Sequence, residues 1–273
     1  MSLTSGFFGL PETVGDGRAD DQRIGLVPLC AWHLCFQIFF ARRTLNILLT
    51  NDDGWDAVGL TMLGQVAQPL GRLVVVAPQA EQSGISHQLT LNRPIEMVEQ
   101  SADRYRLNGT PADCVRIALT QLGIRFDWVL SGVNDGGNLG SDVYVSGTVA
   151  AAREAQLHGV RSMALSQYRK RYSEPFDWQN LVPMLDRVLN AYVAGNPTPA
   201  ADACLINVNF PDVAPSLEPT EMVECELDPN PLPSGYEATP EGYVYTSRYR
   251  DRRRTDGSDV DVCFRGQIAI SRL

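Results

Sequence analysis

Short, unbroken apolar runs recur along this chain, and each gives way to a polar loop and then to helical spacing. Leu45 to Thr50, Leu73 to Ala77, Trp128 to Ser131, Ser162 to Ser166 and Cys204 to Asn209 are each of strand length. Runs that are apolar at successive positions fit strands buried on both faces of a parallel sheet. Between them, Gly59 to Ala67 has helical spacing and is ended by Pro69 and Gly71. A second helix leads from the turn at Asn108 to Asp113 through Leu122, with Thr110 as N-cap and Pro111 at the first helical position. Val149 to His158 forms a third, opened by Ser146-Gly147-Thr148, and Trp178 to Val193 a fourth. Leu89 to Leu107 alternates as hairpin strands do.

This repeating order predicts an α/β fold: a doubly wound, mostly parallel sheet flanked by helices in three layers, with a C-terminal β-rich arm. The core is expected over residues 44–212. The arm, residues 213–273, is proline-rich and then strand-like at Tyr243 to Ser247 and Gln267 to Ser271.

Residues 1–43 break the pattern. They are rich in glycine and acidic residues through Asp21, and then apolar from Ile24 to Phe40 apart from His33 and Gln37. A secretory leader carries positive charge ahead of its apolar run, whereas here Asp16, Asp20 and Asp21 precede it and arginines follow. The run is short for a membrane span and contains Pro28. A poorly ordered extension ahead of a domain at 44–273 is expected, with no membrane anchor.

A formal charge of −9 argues against a nucleic-acid duplex or an anionic membrane as main partner. Small anionic substrates remain open if a metal or a basic patch reverses the local sign. The six cysteines are scattered without a C-x-x-C pair, which fits free thiols in a reducing cytoplasm. Cys30, His33 and Cys35 lie close in sequence but lack a fourth zinc ligand.

Three loops follow three of the predicted parallel strands: Asn51-Asp52-Asp53, Gln82-Ser83-Gly84, and Ser131 to Gly140. If those strands are neighbours, all three loops open on one edge of the sheet. Asp52 and Asp53 then offer carboxylates, Ser83 a hydroxyl and Asn134 an amide oxygen, an all-oxygen set suited to Mg²⁺ or Mn²⁺. Taken singly, each has a plainer reading as a turn or loop residue. Ser146-Gly147-Thr148, at a helix start, offers hydroxyls and N–H groups to a phosphate, with simple N-capping as the alternative. The Gly136-Gly137-Asn138 turn lets backbone approach a ligand.

Other chemistries lack their motifs. No G-x-G-x-x-G follows the first strand, the sole lysine (Lys170) rules out a Walker loop, and no G-x-S-x-G occurs. An aspartyl-phosphatase would need aspartates two apart, and Asp52 and Asp53 are adjacent, which favours activated water.

Asn51-Asp52-Asp53-Gly54, Ala77-Pro78 with Ser83-Gly84, Leu89-Thr90-Leu91, Gly109 to Cys114, Ser131 to Asn134 with Gly137 to Gly140, Ser146 to Val149 and Asn207 to Pro211 occur in that order. Together they resemble the SurE family, the survival-protein nucleotidases. The resemblance spans about Leu45 to Pro211 and is weak in the last sixty or so residues. It implies a Rossmann-like fold, a metal-dependent phosphatase acting on nucleoside 5′- and 3′-monophosphates, and a homodimer or homotetramer that exchanges a C-terminal arm. Polyphosphate is a second candidate substrate. It also implies metal ligands at Asp52, Asp53, Ser83 and Asn134, and phosphate contacts at Asn138, Ser146, Gly147 and Thr148. Val58 stands where the family usually has proline, and Val145 where it has tyrosine.

The expected reaction is in-line attack by activated water, with Asp52 or Asp53 as proton acceptor. Two rivals stand beside it: a nucleotide-sensing module of the same fold, and an esterase using Ser83 or Ser86 with His87. The run Arg248, Arg250, Arg252, Arg253 and Arg254 either recruits nucleotide or polyphosphate or forms a solvated arm tip or subunit contact.

Overall fold

A computed structural model describes residues 44–171, 174–194, 204–214, 216 and 218–273. The expectations for residues 1–43, including Cys30, His33 and Cys35, lie outside the described residues.

The apolar runs become the central strands of one sheet. These are β1 (Leu45–Thr50), β2 (Gly71–Pro78), β5 (Trp128–Asp135), β6 (Arg161–Gln167) and β7 (Leu205–Phe210), joined by the hairpin β3 (Met97–Ser101) and β4 (Arg104–Leu107). From β4 to β7, in the order β4-β2-β1-β5-β6-β7, every neighbouring pair is parallel. Successive side chains on these strands enter different cores, because a strand alternates its faces. Ile47, Leu49, Val75, Ala77 and Leu130 pack on one side, and Leu48, Val74, Val76 and Val129 on the other.

Helices cover both faces. Leu60 and Leu63 of α1 (Val58–Ala67) and Leu185 and Val188 of α4 (Val182–Leu189) close the first core. Cys114, Val115 and Ala118 of α2 (Pro111–Gln121) and Ala151 and Ala155 of α3 (Gly147–Leu157) close the second. The N-terminus of α2 is a capping box. The Asp113 N–H donates to Thr110 Oγ1 at 3.1 Å, and the Thr110 N–H donates back to Asp113 Oδ2 at 2.9 Å. The fourth predicted helix is divided into a 3₁₀ turn (Trp178–Leu181), α4 and a wide π turn (Asn190–Ala194). Pro183 sits in the first turn of α4, where its missing N–H costs no helical bond.

The C-terminal stretch divides between the sheet and a separate hairpin. After β8 (Met222–Glu224) come β9 (Tyr236–Thr239), β10 (Gly242–Tyr245), α5 (Asp259–Phe264) and β11 (Ile268–Arg272). β11 joins the sheet antiparallel to β7, and β8 lies beyond it, parallel to β11. Ile268 and Ile270 are buried in the first core, so this strand completes the domain. β9 and β10 pair only with each other, leaving Tyr236 and Tyr243 exposed. Cys114, Cys204, Cys225 and Cys263 are free thiols. No helix among the described residues is long and apolar enough to cross a membrane.

Candidate active site

The chain leaves β1 outward through β2 and β4, then returns to β5 on the other side of β1 and runs outward through β6 and β7. Loops therefore part at the carboxyl ends of β1 and β5, opening a crevice between them. Asp52 and Asp53 follow β1, and Asn134 lies at the end of β5.

The turn after β1 is fixed locally. The Asn51 side chain donates to the Gly54 carbonyl at 2.8 Å. Gly54 has φ +107°, and a Cβ there would meet the Glu81 backbone nitrogen at 3.3 Å, so the loop after β2 packs directly on this turn. That loop is also tied by the Gln82 N–H, which donates to the Asp52 carbonyl at 2.7 Å. At the end of β5 the pairing with β6 shifts register between Ser131 and Asn134, an irregularity of the kind that re-aims side chains beside sites.

These elements bring three sequence-selected residues onto one cavity of about 450 Å³: Asp53, Ser83 and Asn134, with Glu81 beside them and Val58 and Trp178 as apolar wall. Asp52 lies next to them, buried, under α3. Thr148 donates its N–H to Asp52 Oδ2 at 3.1 Å and its hydroxyl to Asp52 Oδ1. The same hydroxyl lies 3.4 Å from Asn134 Oδ1, so the carboxylate and the amide oxygen share one donor. Asp53 Oδ2 accepts the Asp135 N–H at 3.0 Å. The Ser83 hydroxyl donates to Glu81 Oε1 at 2.6 Å.

Electrostatics set these carboxyls apart. Burial raises Asp52 above its ordinary value, against the lowering effect of the Thr148 hydrogen bonds. Burial and then the charge of Asp52 push Asp53 up to about 7. Two adjacent carboxyls destabilised in their charged form, beside an amide and a hydroxyl oxygen, make a hard donor set that a divalent cation would neutralise. A hard divalent cation fits the chemistry of these donors.

The residues selected for phosphate fall into two groups. Ser146, Gly147 and Thr148 form the start of α3, where Gly147 and Thr148 lie against Asp52. Ser146 Oγ accepts the Val149 N–H at 3.1 Å as N-cap, and a Cβ on Gly147 would lie 2.8 Å from Asp52 Oδ2. Asn138 is buried at the ends of β6 and β7. Its side chain donates to Ser166 Oγ at 2.7 Å, and its carbonyl accepts from the Asn207 and Asn209 side chains at 2.9 and 3.0 Å. The Ser–His pairing of an esterase is not assembled. His87 faces Glu154 at 2.9 Å, and the Ser86 hydroxyl donates to the Tyr144 carbonyl at 2.7 Å.

Sequence reasoning passed over a brace behind this loop. Asp142 Oδ2 accepts from Arg252 Nη1 at 2.8 Å and from the Tyr249 hydroxyl at 2.5 Å, and Arg252 Nη2 donates to the Leu139 carbonyl at 3.1 Å. Arg252 is buried, which corrects its place in the arginine run as solvated or recruiting, while Arg248, Arg250, Arg253 and Arg254 are exposed. Nothing local distinguishes Arg252 from its neighbours, so no sequence signal could have found it.

A doubly wound sheet with an acidic, oxygen-lined centre at its switch point defines the protein as an α/β protein of the ligand-binding kind. Residues 47–228 match the family model described as Survival protein SurE, and the chain belongs to that family. A Nostoc sp. protein is 44% identical over 229 residues, covering 84% of this chain and 99% of its own. The relative in Paramagnetospirillum magneticum named 5′-nucleotidase SurE is 37% identical over 238 residues, covering 84% and 90%. The crystal structure of the SurE protein from Aquifex aeolicus superposes with a TM-score of 0.69 at 28% identity, covering 84% of this chain and 92% of that one. The Rossmann-like fold and the SurE resemblance expected from sequence are both borne out.

Proposed function

We propose that this chain is a 5′-nucleotidase that hydrolyses nucleoside 5′-monophosphates with a divalent cation at Asp52, Asp53, Ser83 and Asn134. The observation that carries this is the pair of adjacent carboxyls at the β1 end: Asp53, raised to about 7, lines a cavity that also holds an amide and a hydroxyl oxygen, and Asp52 lies buried beside it. Relatives carrying the nucleotidase name over nearly their whole length support it.

When bound, Mg²⁺ or Mn²⁺ supplies an activated water and offsets charge on the phosphoryl oxygens. Asp52 or Asp53 is suited to take a proton, and Asp52 is fixed in orientation by Thr148. The start of α3 places the positive end of its dipole toward the same carboxylates. Asn138 and the Ser146-Gly147-Thr148 turn stabilise the transferring phosphoryl group in this reading. Nucleoside 3′-monophosphates and polyphosphate belong to the same substrate class, with the exposed arginines near Arg250 as the recruiting surface for polyphosphate. A cytoplasmic homodimer or homotetramer is part of the proposal, supported by the exposed tyrosines of the β9–β10 hairpin.

The test is phosphate release from AMP and GMP with Mg²⁺, Mn²⁺ or EDTA present. Metal-dependent release that collapses in Asp52→Asn and Asp53→Asn is expected. Full activity in either variant, or in EDTA, would sink the proposal. AMP binding without any phosphate release would instead favour a nucleotide-sensing module.

A further inference from the structure

The cavity that holds Asp53 and Asn134 has one wall of a different character. Trp178, in the 3₁₀ turn that precedes α4, lines it together with Ala57 and Val58. The indole is held from two sides. Its Cη2 atom lies 3.1 Å from where a Cβ on Gly59 would stand, and Phe176 meets it edge-on with ring centroids 5.5 Å apart and planes at 87°. Phe176 in turn lies under the Arg169 guanidinium, 5.0 Å from its ring centroid. A partly buried tryptophan fixed in this way puts a rigid aromatic ring in the cavity wall beside the carboxylates, which water and inorganic phosphate have no use for.

We propose that Trp178 is the base platform of the site: the nucleobase of a nucleoside monophosphate stacks on its ring while the phosphate lies toward the cation centre at the other side of the cavity. This rests on the nucleotidase reading and names the part of the substrate that the carboxylates do not address. A cavity of about 450 Å³ has room for a nucleoside beside the phosphate centre. Its remaining lining, with Glu81 and Asp135, accepts hydrogen bonds and suits the sugar hydroxyls and exocyclic amino groups of a base better than a second phosphate. Stacking tolerates every base, because each has a π face, so the inferred site prefers nucleotides over simple phosphate esters without choosing strongly among bases.

The experiment compares AMP with ribose 5-phosphate, which keeps the sugar phosphate and lacks the base, in wild type, Trp178→Ala and Trp178→Phe. Trp178→Ala is expected to raise KM for AMP roughly ten-fold or more, the size of one base–aromatic stack. Its KM for ribose 5-phosphate stays unchanged, and Trp178→Phe retains most of the preference. An unchanged KM for AMP, or an equal rise for both substrates, would overturn the assignment. If wild type releases phosphate from neither compound, the nucleotidase reading has failed on its own. Calorimetric binding of AMP against ribose 5-phosphate then decides the platform: loss of the AMP preference in Trp178→Ala supports it, and its retention overturns it.

Discussion

Thr148 holds Asp52 with both its backbone N–H and its hydroxyl, from a position 96 residues further along the chain. The start of α3 is thereby directed at a carboxylate of the protein itself, and the same hydroxyl reaches toward Asn134. One side chain thus orients two of the inferred cation ligands. Replacing Thr148 with valine keeps the volume and removes the donor. Loss of such an outer partner typically weakens metal binding by about 10–100-fold. A titration of activity against Mn²⁺ should shift by that amount in Thr148→Val; an unmoved titration would show that Thr148 only fills space.

Gly147 faces Asp52 so closely that a methyl group would stand 2.8 Å from its Oδ2. Gly147→Ala should leave the helix intact, since alanine favours helix over glycine. It should nonetheless displace the carboxylate and lower kcat roughly a hundred-fold, as a misplacement near 1 Å can. A collapsed kcat with a lowered Tm is the expected pair of results, because the methyl also meets Asp52 Cβ at 2.8 Å and Ile85 Cγ2 at 3.1 Å.

Asp53 links the site to pH. Its pKa rises from 3.8 to about 7 on folding, chiefly through burial and then the neighbouring Asp52 charge. The folded protein therefore binds this proton more tightly than the unfolded chain does. The stability it contributes is complete below pH 3.8 and is lost as pH rises toward about 7. In EDTA, wild type should lose Tm across that window relative to Asp53→Asn, which has no proton to release. Protons should also compete with Mn²⁺, weakening activation as pH falls below about 7. Parallel Tm profiles for wild type and variant would contradict this.

Arg252 and Arg254 are two residues apart and differ in every physical respect. The Arg252 side chain is fully enclosed and pairs with Asp142 at 2.8 Å, whereas that of Arg254 is 49% exposed and stands 3.6 Å from Asp261. Breaking a buried pair by removing one partner costs about 3–5 kcal/mol, and a surface change about 0.5 kcal/mol or less. Urea unfolding of Arg252→Met and Arg254→Met should show that contrast. Similar midpoints would mean that the brace carries no load.

The core strands and three of the four predicted helices could be read from the chain, because periodicity and capping are local. Thr110 with Asp113, Pro111 and Ser146 mark helix starts within three or four residues of sequence. The fourth helix is legible as helical but not as a 3₁₀, α and π succession, since apolar spacing does not mark where one helical winding gives way to the next. The final strand belongs to the strand-like C-terminal stretch expected from sequence, and the structure adds that its Ile268 and Ile270 are buried in the first core. Two isoleucines in a short segment do not say which strand they will lie beside.

By itself the sequence determined the candidates for the chemistry: Asp52, Asp53, Ser83 and Asn134 stand at or beyond the ends of apolar runs of strand length. Only the tertiary structure decided what surrounds them. Thr148 lies 96 residues from Asp52, and Arg252 lies 110 residues from Asp142. Contacts across such separations follow from strand order and helix placement, which no local pattern encodes. The same holds for Trp178, one aromatic among many in the sequence and part of the cavity wall only once the turn before α4 is folded against Gly59.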